Sequence, residues 1–386
     1  MRQALQPLAA EFIALRRDLH RYPELGLKEF RTSDLVAERL KEWGYSVHRG
    51  LASTGLVAQL VRGTGTKRLG LRADMDALPI LEQNTFAHAS CHAGVMHACG
   101  HDGHTAMLMA AAKHIAHSVE FSGTLNLIFQ PAEEHPGGAK IMIEEGLFDR
   151  FPCDAIFAMH NMPGHPAGHL VFREGAAMAS SDDVSITVTG QGGHGAMPHK
   201  AQDVVVAASA IVMALQTVVS RNIDPLQTAV VTVGAFHAGQ ANNVLPASAQ
   251  LELSVRALDR DVRNLLEQRI RALVKAQAES FGVQAHIDYR RDYPVLVNTP
   301  AETEMARQAG LALVGPEQVT LQGEALTGSE DFASMLEHCP GSYVLIGNGE
   351  GEGSCMVHNP GYDFNDAILT TGAAFWSLLV QRSLSH

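Results

Sequence analysis

The sequence predicts an α/β protein of two domains, the second a β-α-β-β-α-β unit inserted into the first. Three observations carry this expectation. The chain has 386 residues, more than one ordinary core accommodates. Strand-like apolar runs keep ending at acids or histidine: 69–72 leads to Asp74 and Asp76, 124–130 to Glu133 and Glu134, and 155–159 to His160. Beyond Ser181 the pattern changes to alternating strands and two long helices in the split βαβ, ferredoxin-like order.

Taken in order, residues 4–21 place Leu5, Leu8, Phe12, Leu15 and Leu19 at helical spacing, and the helix stops before Pro23. His20 and Glu24 flank that break, where they either hold a turn or serve a nearby site. A second helix spans about 30–43 and ends at Gly44. Strands follow at 56–61 and 69–72, the second running into Ala73-Asp74-Met75-Asp76. Acids two apart at a strand end share a side, at the edge where α/β sheets bind ligands. A helix is expected from about His104, on the strength of its Ala and Met content.

In the second domain, 184–189 is a half-buried strand and Gly190 to Gly195 a flexible glycine-rich loop. The loop lacks the Gly-Lys-Ser/Thr ending of a phosphate loop. A helix from Asp203 to Ser220, strands at 228–235 and 250–258, a helix at 260–281 and a strand at 284–289 complete the unit. The domains are thus 1–183 with 295–386, and the insertion 184–294. The first domain resumes with helices at 301–313 and 329–338, a strand at 343–346, a glycine-rich loop at 347–353 and a last helix from Asp366.

Composition excludes several classes. A formal net charge of −12 argues against nucleic acid as partner. No apolar run nears the ~20 residues of a membrane span, and the first residues lack a secretory pattern, so a soluble cytoplasmic protein is expected. Five irregularly spaced cysteines make no disulfide framework.

The chemistry concentrates in Met-His-Ala-Cys-Gly-His-Asp-Gly-His, residues 96–104. Cys99 offers a thiolate, and His97, His101 and His104 offer imidazoles. This donor set suits zinc or another late first-row divalent ion. Of the adjacent acids Glu133 and Glu134, alternation lets one hold metal while its neighbour faces substrate.

Together these stretches resemble the aminoacylase/carboxypeptidase-type dinuclear metallohydrolases, in the amidohydrolase branch of hippurate and indole-acetyl-amino-acid hydrolases. The likeness is carried by Asp-Leu-His-Arg-Tyr-Pro-Glu-Leu-Gly (18–26), Arg-Ala-Asp-Met-Asp-Ala-Leu-Pro (72–79), His-Ala-Cys-Gly-His-Asp-Gly-His (97–104) and Gln-Pro-Ala-Glu-Glu (130–134). It continues through Met-His-Asn (159–161), Gly-Gly-His-Gly-Ala-Met-Pro-His (192–199), Asn-Val-Leu-Pro (243–246), Gly-Ser-Glu-Asp-Phe (328–332) and His-Asn-Pro-Gly (358–361). The resemblance implies a mixed-sheet, zinc-peptidase-like catalytic domain carrying an inserted ferredoxin-like dimerisation or lid domain.

It further implies that Cys99, His101, Glu134, His160 and His358 hold two divalent ions per subunit, zinc first and manganese, nickel or cobalt as alternatives. Glu133 becomes the general base and Asp76 supports the ligands. His194 stabilises the oxyanion from a partner subunit, and Asn243 and Arg256 grip the substrate carboxylate. The implied activity is hydrolysis of N-acyl amino acids, hippurate-like aromatic conjugates foremost, by a homodimer or dimer of dimers. Where many relatives carry His-x-Asp, this chain has Asp74-Met75-Asp76, which leaves the residue bridging the metals unassigned. An N-acetyl-amino-acid deacetylase and a dipeptidase or carboxypeptidase are the alternatives. A non-catalytic metal-binding protein and a cysteine hydrolase using Cys99 stand further off.

Overall fold

The computed structural model describes residues 1–350 and 355–385, so 351–353 of the expected glycine-rich loop lie outside the described residues. The chain divides into two compact units. One comprises Met1–Gly175, Val297–Glu324 and Asp331–His386, the other Ala176–Leu296 and Ala325–Glu330.

The larger unit is built on an eight-stranded sheet in the order Ser46–Leu51, Gly55–Arg62, Gly123–Gln130, Arg68–Asp74, Ala155–Pro163, Gly341–Gly349, Leu170–Val171 and Val319–Thr320. Its four middle strands, from Gly123–Gln130 to Gly341–Gly349, run parallel. Strands 55–62 and 46–51 add on antiparallel, so the sheet is mixed, as expected. The middle strands are buried almost throughout, which explains their continuous apolar runs. The edge strand Ser46–Leu51 buries little, and for that reason carried no apolar signal to mark it.

Helix His101–Ser118 crosses this sheet and is buried without interruption from His101 to Ala112. Its apolar run, Ala106 to Ala112, faces every side of the helix, as in a helix covered all round. It packs with helices Ala9–Arg21 and Leu369–Ser383 in one core that includes Phe12, Met107, Phe375 and Trp376. It begins three residues before the expected His104, because Gly100 takes a left-handed turn (φ 94°) that starts the helix early. The first helix is likewise not continuous over 4–21. Pro7 lies in a 3-10 turn, Gln6–Leu8, that divides Arg2–Leu5 from Ala9–Arg21. The helix expected at 329–338 shrinks to Phe332–Leu336.

In the smaller unit four antiparallel strands lie in the order Ala229–Ala238, Ser248–Ala257, Ser180–Thr189 and Gln284–Tyr293. Helices Val204–Asn222 and Arg260–Ser280 pack their apolar faces on this sheet. Asp203 and Asp259 cap the two helices by accepting backbone amides of their first turns. The topology is the ferredoxin-like order. Two expectations fail here. Gly190 to Gly195 is not simply a loop, since Gly193–His194 pairs antiparallel with Val244–Leu245. Val204–Asn222 is also long and apolar enough to cross a membrane by length and composition, contrary to the expectation that no run nears that length. Its Val204, Ala207, Ile211, Leu215 and Val218 are buried in the unit's own core.

Candidate metal centre

The centre lies at the carboxyl ends of the parallel strands. Strand 68–74 delivers Asp74 and then Asp76, strand 123–130 delivers Glu133 and Glu134, and strand 155–163 carries His160. Helix 101–118 contributes His101 from its first turn, one residue past Gly100 and two past Cys99. A side chain at position 100 would collide with the Asn161 amide and the Tyr362 hydroxyl. Glycine there lets the Cys99–His101 turn press against strand 155–163.

Five donors converge. Cys99 Sγ lies 3.3 Å from His160 Nε2, and His358 Nε2 lies 3.0 Å from Glu134 Oε1. Donor atoms of Cys99, His101 and His160 all fall within 4.8 Å of one another, as do those of Cys99, Glu134 and His358. Cys99 is common to both groups. His358 is held there in a left-handed backbone (φ 67°), with its N–H donating to Ala98 O at 2.7 Å. A non-glycine residue in that conformation is strained, and such strain persists where surrounding contacts fix it.

Each buried histidine of the group is oriented from behind. His101 Nδ1 faces Asp76 Oδ1 at 3.2 Å, and His160 Nδ1 faces the Asn161 carbonyl at 2.5 Å. Both partners are acceptors, so both Nδ1 atoms carry a proton and both Nε2 atoms are turned toward the other donors. His101 Nε2 is buried with no hydrogen-bond partner among the described residues. A carboxylate or carbonyl behind an imidazole is the usual support of a metal-binding histidine. Burial alone would lower the His101 pKa, but Asp74, Asp76 and Glu134 raise it to about 10. Burial and the neighbouring carboxylates push the Cys99 thiol well up. The pocket therefore calls for positive charge, and the thiol, imidazole and carboxylate donors fit a late first-row divalent cation.

Asp76 does more than hold His101. Its two oxygens accept the backbone N–H groups of Glu133 and Glu134, each at 3.0 Å. Glu133 is buried, with its Oε2 4.0 Å from His101 Nε2 and its Oε1 3.4 Å from the backbone N of Asp331.

Not every residue of the 96–104 cluster joins. His104 Nδ1 contacts Asp74 Oδ1 at 2.6 Å, and its Nε2 accepts the Asn161 backbone N–H at 3.0 Å. Both nitrogens are thereby occupied. His97 is buried with neither nitrogen paired among the described residues, and burial lowers its pKa to about 4. Asp74, level with Asp76 in the sequence, instead pairs with Arg72 Nη1 at 2.7 Å. Burial works against its charge, yet His101, His104 and Arg72 hold its pKa well below the usual carboxylate range.

The remaining candidates belong to the smaller unit. His194 and Asn243 are brought side by side by the short strand pair, and Gly195 N donates to Asn243 O at 2.8 Å. His194 Nδ1 accepts the Ala196 N–H at 3.1 Å, which leaves Nε2–H as an exposed donor. Arg256 Nη1 donates to Ser329 Oγ at 2.8 Å.

Sequence reasoning missed a buried network behind the centre. Asp331 accepts from Gln130 Nε2 (2.8 Å), the Ala139 amide (2.8 Å) and Arg72 Nη2 (3.1 Å). Arg72 Nε also reaches Gln130 at 2.8 Å. The available signal was polar residues, Arg72 and Gln130, inside otherwise apolar strand runs; buried polar groups require partners.

Residues 70–382 match the model of peptidase family M20/M25/M40. The chain belongs to this family. A hippurate hydrolase of Campylobacter jejuni is 44% identical over 377 residues, covering 98% of this chain and 97% of that relative. The N-acetyl-L-cysteine deacetylase of Bacillus subtilis is 36% identical, covering 96% and 88%. A crystal structure of a dinuclear metal-binding M20-family peptidase from Bacillus subtilis matches with a TM-score of 0.85 at 31% identity, over 98% of this chain and 99% of that one. The M20 fold and the mixed sheet of the larger unit thus agree.

Proposed function

We propose that this M20-family protein is a metal-dependent amidohydrolase that cleaves N-acyl amino acids, hippurate-like aromatic conjugates foremost, to a carboxylic acid and a free amino acid. The observation that carries the reading is Glu133. It is a buried acid beside five converging donors, within 4.0 Å of His101, while its neighbour Glu134 contacts His358. A storage site has no use for such an acid.

Cys99, His101, Glu134, His160 and His358 would hold two divalent ions, zinc foremost, with manganese, nickel or cobalt as alternatives. When bound, such ions supply Lewis acidity to a water and to the scissile carbonyl. Glu133 takes the proton of the attacking water and passes it to the leaving nitrogen. His194 donates Nε2–H to the developing oxyanion, a contribution of about 3–4 kcal/mol for one good donor. Arg256 and Asn243 bind the amino-acid carboxylate.

His194 would act from a partner subunit in a homodimer or dimer of dimers. Helix Val204–Asn222 supports an assembly through the smaller unit, because Val206, Ser209, Met213, Gln216 and Thr217 form an exposed face without charge. A Cys99 thiol suits a reducing, cytoplasmic setting. The Bacillus deacetylase at 36% identity favours acetyl-amino acids as the second reading.

The test is a side-by-side assay of benzoyl-glycine, acetyl-amino acids and dipeptides on metal-reconstituted protein, with Glu133→Gln as control. The variant is expected to keep its metal and lose turnover. A metal-free variant would move Glu133 into the ligand set, and an inactive, fully loaded native protein would refute the enzyme reading.

A further inference from the structure

The 18–26 motif and the helix after it supply no donor to the centre, yet they press directly on it. A side chain at Gly26 would strike the His135 carbonyl and the Ala132 Cβ. Glu24 is accounted for locally, since its carboxylate accepts the amides of Arg31 and Thr32 at 3.0 and 2.9 Å and so caps helix Phe30–Glu42. Glu29 is not. It is fully buried, and its Oε1 accepts the Ala132 backbone N–H at 2.9 Å while its Oε2 accepts the Thr54 hydroxyl at 2.6 Å.

We propose that Glu29 is a positioning residue for Glu133 and Glu134, acting through the backbone of Ala132. Three consecutive amides, those of Ala132, Glu133 and Glu134, end on two buried carboxylates, Glu29 and Asp76. Ala132 has a left-handed backbone (φ 54°), a conformation alanine does not adopt unaided. Its carbonyl accepts from Gly137 and Gly138 at 3.1 and 2.8 Å, and Glu29 takes its N–H, so residue 132 is held on both sides. Releasing it lets residue 132 relax, and the next two side chains swing with it. Burial is the main cause lifting the Glu29 pKa to about 7. A neutral acceptor is therefore close to what the site already tolerates.

This inference rests on the roles given to Glu133 and Glu134 above. The test compares Glu29→Gln with Glu29→Asp. Glutamine keeps an oxygen for Ala132 and turns its amide to Thr54; aspartate keeps the charge but is one methylene short. Three quantities are read: kcat and KM on the best N-acyl amino acid, zinc affinity by competition with a chromogenic chelator, and hydrogen exchange of the 131–134 peptide.

Glu29→Gln should stay within about threefold of native throughout. Glu29→Asp should lose ~10–100-fold in kcat at unchanged KM, bind zinc about tenfold more weakly and exchange faster at 131–134. Equal impairment of the two, the reverse order, or two native-like variants would each overturn the proposal. Zinc affinity and exchange are read without turnover. A native protein that hydrolyses no N-acyl amino acid would sink the enzymatic reading while these two readouts still judge Glu29.

Discussion

His101 and Asp76 are joined through Nδ1 and Oδ1 at 3.2 Å, and the same carboxylate receives the amides that introduce both glutamates. One side chain thus ties the helix half of the centre to the strand half. Asp76→Ala is expected to lower metal affinity by ~10–100-fold. Chelator competition measures it; an unchanged affinity would mean that the peptide frame holds itself.

His104 has both ring nitrogens engaged, by Asp74 and by Asn161. His104→Ala should therefore leave metal stoichiometry unchanged while costing about 1.5–3 kcal/mol of stability through the lost charge-assisted contact. Metal analysis and urea unfolding on the same sample separate the two effects. A missing ion would make His104 a ligand.

His20 sits buried between Asp102 (2.9 Å) and Glu82 (3.1 Å), with Arg16 beside it. Burial opposes its charge, but the two acids raise its pKa to about 9 from the ordinary 6.5. A raised folded pKa means stability that is complete below about 6.5 and disappears as pH climbs through about 9, roughly 3 kcal/mol in all. Urea midpoints across that window should fall more steeply for native protein than for His20→Gln. Parallel pH curves would show that His20 does not titrate in the window.

Glycine inside a helix normally costs about 1 kcal/mol relative to alanine. At Gly103 the sign reverses, because the Phe364 ring occupies the space a Cβ would need. Overpacking of this kind costs about 1–3 kcal/mol, so Gly103→Ala should be a net loss in an unfolding titration. A more stable variant would show that Phe364 can move aside.

His194→Ala and Glu133→Gln, each nearly inactive alone, should recover part of the native rate when mixed and re-associated, if the histidine serves a partner's centre. Verified mixed dimers without activity would place His194 in its own subunit's reaction or outside it.

Much of this was legible in the sequence because the donors are chemically unusual where they occur. Cysteine with histidines around glycine, and paired acids after apolar strands, have few other uses. What was not legible is direction. Spacing alone does not separate Cys99 and His101 from His97 and His104; only the resemblance does, and the helix start at His101 is set by the left-handed Gly100. The Arg72–Gln130–Asp331 network was hidden for another reason. Its members are joined across the sheet by contacts that no local periodicity encodes. Ser46–Leu51 escaped because an exposed edge strand needs no apolar alternation.

The donors at 99, 101, 134 and 160 precede the smaller unit in the chain, and the one at 358 follows it. During synthesis about 200 residues separate the fourth donor from the fifth, roughly 10–40 s of ribosome time at ~5–20 residues per second. A nascent chain can capture an ion early only with an incomplete grip. If His358 completes the ligand set as proposed, the choice of ion falls late, once that residue has emerged, and under the supply that the finished protein meets rather than the one its first half encountered.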